Sequence, residues 1–203
     1  MKKIKNYYEF FLKKYKKGHK AVNWKSQKTQ EIRFEKIIEI QNLKGLSILD
    51  VGCGLGHLRK YMKKKKIDCS YKGIDISELM IRSAKKYNNN SKNFFAINIL
   101  NQKEHLNFLI SDYVINCGLF TVKANYSNKQ WWNFIKKMLL KMFSLSKKGI
   151  AFNLLTDNVD YKDKHLFYAP HKQIMKFIEN NLSEKVVCKR NPQVWENVYY
   201  VYK

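Results

Sequence analysis

The run Ile48-Leu49-Asp50-Val51-Gly52-Cys53-Gly54-Leu55-Gly56-His57 constrains this chain more than any other segment. An apolar stretch from Leu46 ends in an acid, and glycines then take every second position before an amphipathic pattern over His57–Lys66. An apolar run, a glycine bend and a helical period together read as a buried strand turning sharply into a helix. Glycines at the bend let the backbone reverse and approach a ligand with no Cβ in the way. In a doubly wound sheet such a bend lies at the carboxyl edge of the strands, where ligands bind.

The residues around the bend narrow the ligand. A dinucleotide fingerprint places its third glycine where this chain has His57, and no phosphate-loop lysine follows. Instead Asp50 stands two residues before Gly52, and a carboxylate there suits a cationic amine and repels a pyrophosphate. Nineteen residues beyond Gly56, a strand pattern over Tyr71–Ile76 carries Asp75 near its end. An acid at that spacing is placed to accept hydrogen bonds from both hydroxyls of a ribose.

Strand and helix patterns keep alternating. Ser77–Lys86 predicts a helix capped by Ser77, Phe94–Ile99 a third strand, Tyr113–Cys117 a fourth, and Gln130–Phe143 a long helix. Gly149–Leu155 predicts a fifth strand and His171–Asn181 another helix, with Val186–Arg190 and Val198–Val201 as a closing strand pair. Upstream, Tyr7, Tyr8, Phe10, Phe11, Leu12 and Tyr15 stripe one helix within residues 1–20, and Thr29–Leu43 has the period of a second. This alternation predicts a mostly parallel sheet with helices on both faces and one antiparallel edge strand.

The Asp50, Gly52, Gly54, Gly56 motif and the Gly73-Ile74-Asp75-Ile76-Ser77 segment resemble class I S-adenosylmethionine-dependent methyltransferases over residues 46–120. That resemblance implies an α/β, Rossmann-like, doubly wound sheet of seven strands, mostly parallel with one antiparallel C-terminal strand. It implies S-adenosyl-L-methionine as donor and S-adenosyl-L-homocysteine as product. Asp50, Gly52, Cys53, Gly54 and Gly56 would hold the donor's amino-acid end, and Asp75 its ribose. Ile76 and Ile99 would wall the adenine, and Asn98 stands where relatives carry an Asp that meets the adenine amine. Asn116, Cys117 and Gly118 would lie under the sulfonium. Residues 1–45 would form a helical lid on a methyltransferase domain at 46–203, and Trp24, Gln30 and Arg33 are placed to meet the donor's carboxylate and the substrate.

Methyl transfer needs alignment of a nucleophile and exclusion of water, and no metal. An oxygen nucleophile usually wants a general base. His19, His57, His105, His165 and His171 are the histidines available, and His165 and His171 rank first because they follow the fifth strand, where acceptor loops of this fold sit. The Trp24…Gln30…Arg33 segment and the Ala151-Phe152-Asn153-Leu154-Leu155 strand resemble small methyltransferases of bacterial surface and capsular polysaccharide gene clusters. That likeness implies O-methylation of a small molecule, or of a sugar or phosphate-type group of a glycan precursor.

Composition bears on the alternative partners. A formal charge of +24 attracts anions, nucleic acid among them. Yet arginine appears only at positions 33, 59, 82 and 190. Lysine-borne charge lacks the bidentate fork that base and phosphate recognition favours. Asn116-Cys117-Gly118-Leu119 also departs from the Asn/Asp-Pro-Pro-aromatic motif of many enzymes that methylate exocyclic amines. A nucleic-acid methyltransferase is therefore the second reading, and a non-catalytic scaffold of the same fold the third. Cys53, Cys69, Cys117 and Cys188 form no CxxC pair, which predicts neither zinc site nor disulfide framework. Lysines break the N-terminal apolar stretch, so the chain is expected in the cytoplasm with no signal peptide and no membrane span.

Overall fold

A computed structural model describes residues 2–89, 92–101 and 106–203. Helix α1 (Lys2–Tyr15) leads through a 3-10 turn (His19–Val22) to α2 (Gln27–Ile38). Then come β1 (Ser47–Val51), α3 (His57–Lys64), β2 (Ser70–Asp75), α4 (Glu78–Tyr87), β3 (Phe94–Ala96) and β4 (Ser111–Asn116). The remainder is α5 (Asn128–Leu145), β5 (Ser146–Thr156), a two-residue β6 (Tyr168–Ala169), α6 (His171–Asn181), β7 (Val186–Asn191) and β8 (Glu196–Tyr202).

The strands form one sheet in the order β3-β2-β1-β4-β5-β8-β7, with β6 paired to β5 off that path. Strands β3, β2, β1, β4 and β5 run parallel. Strand β8 is antiparallel to both β5 and β7. The expected antiparallel strand is present, but it is not the edge: β8 inserts between β5 and β7, and β7 takes the border. Successive residues of the central strands alternate between two buried layers. Leu49, Val114, Ile150 and Phe152 pack with α5 and α6, on Trp131, Ile135, Leu139, Ile174 and Ile178. Ile48, Tyr113, Ile115 and Ala151 pack with α2, α3 and α4, on Phe34, Ile37, Leu58, Met62, Ile81 and Ala84. Burial on both faces is why these strands read as continuous apolar runs and not as polar–apolar alternation.

Several boundaries differ from the expected ones, and two of the differences have a visible cause. Strand β3 stops at Ala96, because the Asn98 side chain accepts the Leu100 N–H at 3.1 Å and turns the chain. Helix α2 ends at Ile38, where the carbonyls of Lys36 and Ile40 accept the hydroxyls of Tyr200 and Tyr202 from β8. Among the described residues no helix is long and apolar enough to cross a membrane.

Candidate functional site

The strand order reverses between β1 and β4, and a cavity opens at the carboxyl ends there, as expected for a doubly wound sheet. It holds about 1230 Å³ of empty space, solvent at its mouth included.

Its floor is the glycine bend. Gly52, Gly54 and Gly56 all have positive φ, at 76°, 52° and 70°, which side chains with a Cβ adopt at a cost. The bend is fastened to β2, since the Gly52 and Cys53 N–H groups both donate to the Ile74 carbonyl, at 2.8 and 3.0 Å. Asp75 completes the tie by accepting the Gly54 N–H at 3.1 Å and the Ser77 N–H at 2.9 Å. Asp50 lies on the other side of the bend, only 3% exposed, and accepts the Tyr71 hydroxyl at 2.6 Å.

Desolvation raises the pKa of both acids. The Asp50 carboxyl is pushed up to about 7 by burial and by the neighbouring Asp75, against the Tyr71 hydrogen bond. The Asp75 carboxyl is raised by burial against its backbone hydrogen bonds. Among the described residues neither acid has a cationic partner within salt-bridge distance. Two desolvated carboxylates without a counter-ion, flanking a bare backbone bend, fit a ligand that brings one cation and hydroxyl donors.

Two helices roof the cavity. Ile4, Lys5 and Tyr8 of α1 line it, and Glu9 fastens α1 to the β2 end by accepting the Ser77 hydroxyl at 2.6 Å. Gln30 and Phe34 of α2 line it beside His57, whose Nδ1 lies 3.1 Å from the Gln30 amide nitrogen. His57 is held neutral: burial first, then Lys60 and His19, bring its pKa down to about 4. The buried Nε2 of His57 and Nδ2 of Asn116 have no hydrogen-bond partner among the described residues. Phe134 and Met138 of α5 close the apolar end with Leu119, Val122 and Ile99.

Of the residues singled out in the sequence, Trp24, Asp50, Gly52, Cys53, Gly54, Asp75, Ile76, Asn98, Ile99 and Cys117 all line this cavity. Gly56 backs it as the N-cap of α3, against Phe94. Asn116 is fully buried behind the lining, its side-chain oxygen accepting the Leu119 N–H at 3.2 Å. The structure corrects three expectations. Arg33 does not reach the cavity, because buried Glu196 takes its Nε at 2.7 Å and the Thr29 carbonyl its Nη1 at 2.9 Å. His171 stands on α6, 3.2 Å from the Tyr199 hydroxyl, and His165 sits in the loop paired with Lys123 and Ala124; neither lines the cavity. His105 lies outside the described residues.

Among the lining residues that sequence reasoning missed are Ile4, Tyr8, Ser77, Phe134 and Met138. Their only sequence signal was apolar period or capping, which reads equally well as plain packing.

Comparison with known proteins agrees with this geometry. Residues 42–199 match the family described as Methyltransferase domain. Rv1506c of Mycobacterium tuberculosis, named as a methyltransferase, is 26% identical over 160 residues, covering 77% of this chain and 93% of that protein. The malonyl-[acyl-carrier protein] O-methyltransferase of Acetivibrio thermocellus is 27% identical over 149 residues, covering 70% of this chain and 47% of that enzyme. Magnesium protoporphyrin IX methyltransferase from Synechocystis PCC 6803, solved with S-adenosylmethionine bound, shares the fold at TM-score 0.59 and 17% identity, over 87% of this chain and 79% of that one. A methyltransferase from Aquifex aeolicus aligns at TM-score 0.60 and 17% identity, over 87% and 93%.

Proposed function

The chain belongs to the methyltransferase domain family and is an S-adenosylmethionine-dependent methyltransferase, and from that premise we propose that it O-methylates a small, largely apolar acceptor carrying an acidic oxygen. The observation that carries the proposal is the cavity itself: a glycine bend between two desolvated acids, continuous with an apolar end at Leu119, Val122, Phe134 and Met138.

Asp75 would accept the ribose hydroxyls, Asp50 would face the ammonium group, and the Gly52–Gly54 backbone would lie against the amino-acid end. Asn98, Ile76 and Ile99 would border the base. Bound there, S-adenosylmethionine supplies a methyl group already activated on a sulfonium. The protein's part is to orient, to exclude water and to leave the nucleophile nowhere else to go. Residues 1–45 would act as the lid, a reading supported by the part that α1, Trp24, Gln30 and Phe34 take in lining the cavity.

An oxygen that is already ionised, such as a carboxylate, asks for no dedicated base. That suits a cavity reached by neither His165 nor His171, and it accords with the O-methyltransferase name of the Acetivibrio relative. A glycan-precursor acceptor rests on sequence likeness alone. A polynucleotide acceptor would call for cations at the cavity, where Lys5 stands among mostly apolar side chains.

Calorimetry with S-adenosylhomocysteine tests the donor site. One molecule per chain is expected, and Asp75→Asn should weaken it by about ten-fold or more, the scale of lost charge-assisted hydrogen bonds. No binding at millimolar ligand would sink the reading. Labelled-methyl transfer should then be found with apolar carboxylic acids, and not with capsule fragments or RNA.

A further inference from the structure

The side chains displaced from the cavity form a buried chain of their own behind it. Glu196, at the start of β8, is fully buried. Its Oε1 accepts Arg33 Nε–H at 2.7 Å and its Oε2 accepts Asn153 Nδ2–H at 2.6 Å. Asn153, 1% exposed on β5, in turn accepts the Gly118 N–H on its Oδ1 at 2.8 Å. The Arg33 guanidinium lies 4.5 Å over the Trp24 ring, and that ring abuts Gly118 so closely that a Cβ there would fall 2.6 Å from it. Trp24 and Gly118 both line the cavity. The contacts therefore close a loop: Glu196, Arg33, Trp24, Gly118, Asn153, Glu196.

The direction of each hydrogen bond follows from chemistry. Arginine cannot accept, so it keeps Glu196 as the acceptor. An ionised carboxylate only accepts, so the Asn153 amide must turn its NH₂ toward Glu196. That leaves its carbonyl oxygen for the Gly118 N–H, a buried donor that needs a partner. Burial raises the Glu196 pKa, and Arg33 with Asn153 opposes that rise.

We propose that Asn153, Glu196 and Arg33 are positioning residues: they fix the Cys117–Gly118 backbone and the Trp24 ring as one wall of the donor cavity. The proposal rests on the donor reading above. It assigns a role in ligand affinity to Glu196, a residue that touches no ligand.

The test exploits the fixed directions. In Glu196→Gln, whichever way the two amides turn, a donor faces a donor somewhere along the path from Arg33 to Gly118. In Asn153→Asp two buried carboxylates meet. In the double variant Glu196→Gln/Asn153→Asp, the carboxylate placed on β5 accepts from the new amide on β8 and from the Gly118 N–H. The oxygen of that amide still accepts from Arg33, and one negative charge again lies among these groups.

S-adenosylhomocysteine affinity is measured by calorimetry on each folded variant, with near-ultraviolet circular dichroism as the folding check. Each single change is expected to weaken binding by about ten-fold, the scale of one unsatisfied buried donor. The double is expected within about three-fold of the unaltered chain, by the same scale. Single variants that bind like the unaltered chain overturn the proposal, as does a folded double no better than the singles. Should the singles not fold, the double alone decides: near-normal binding supports the proposal, and loss of binding or of fold overturns it. If the unaltered chain binds no S-adenosylhomocysteine, the donor reading fails first. The positioning claim is then read from Gly118 amide exchange, expected slow in the unaltered chain and the double; fast exchange in either overturns it.

Discussion

At the scale of single residues, the proposed donor site rests most on Asp50, buried beside the glycine bend. Its folded carboxyl titrates near 7, whereas an unfolded aspartate titrates near about 4. Between those values the folded chain binds more protons than the unfolded one, so through Asp50 the ligand-free protein loses stability as pH rises, levelling off above 7. Donor affinity should run the other way, because an ammonium group prefers the ionised carboxylate. S-adenosylhomocysteine affinity is expected to rise about ten-fold from pH 6 to pH 8, following the ionised fraction. Asp50→Asn should flatten both curves; parallel curves, or an unchanged slope in that variant, would contradict the assignment. Asp50, the glycines and Asp75 were legible in the sequence because all their spacing is local. The pairing of Arg33 was not, because its partner Glu196 lies 163 residues away. His57 was visible only as one histidine among five; its neutrality comes from burial, which no spacing encodes.

At the scale of elements, the strands and helices followed from apolar period and caps. Helix α6 spans the residues expected of it, and Ser77 caps α4 by accepting the Met80 N–H at 3.1 Å. At the ends of α2 and β3, a hydrogen bond from elsewhere or a side-chain turn sets the boundary. The strand order was beyond reach for the same reason, since β8 pairs by long-range contacts. Two capping boxes separate stability from function. Ser127 closes the start of α5 with Gln130, and Ser26 closes the start of α2 with Thr29. Replacing either by Ala should cost about 1 kcal/mol in urea denaturation. Only Ser26→Ala should also weaken S-adenosylhomocysteine, by a few-fold on that same scale, because the first turn of α2 carries Gln30 into the cavity. Equal binding by the two variants would detach α2 from the site.

At the scale of the whole molecule, 40 basic against 16 acidic side chains leave +24, and Asp50 and Glu196 are buried, so the surface is more positive still. Such a field attracts polyanions whatever the enzyme methylates. Association with RNA should be measurable at about 50 mM salt and collapse by about 200 mM, as ionic contacts do, while S-adenosylhomocysteine binding stays constant across that range. Gel shift and calorimetry at both salt concentrations check this, and RNA binding that survives the higher one would revive a polynucleotide substrate. The placement of β8 inside the sheet carries a consequence for the pocket. Among the described residues strand β7 pairs only with β8, and the two are joined by a short turn at Pro192–Val194. They form a local hairpin that joins the rest of the sheet through the β5–β8 pairing. Glu196 opens β8, so its contact with Asn153 depends on that one strand pairing, and whatever loosens the hairpin loosens the wall behind Gly118 with it.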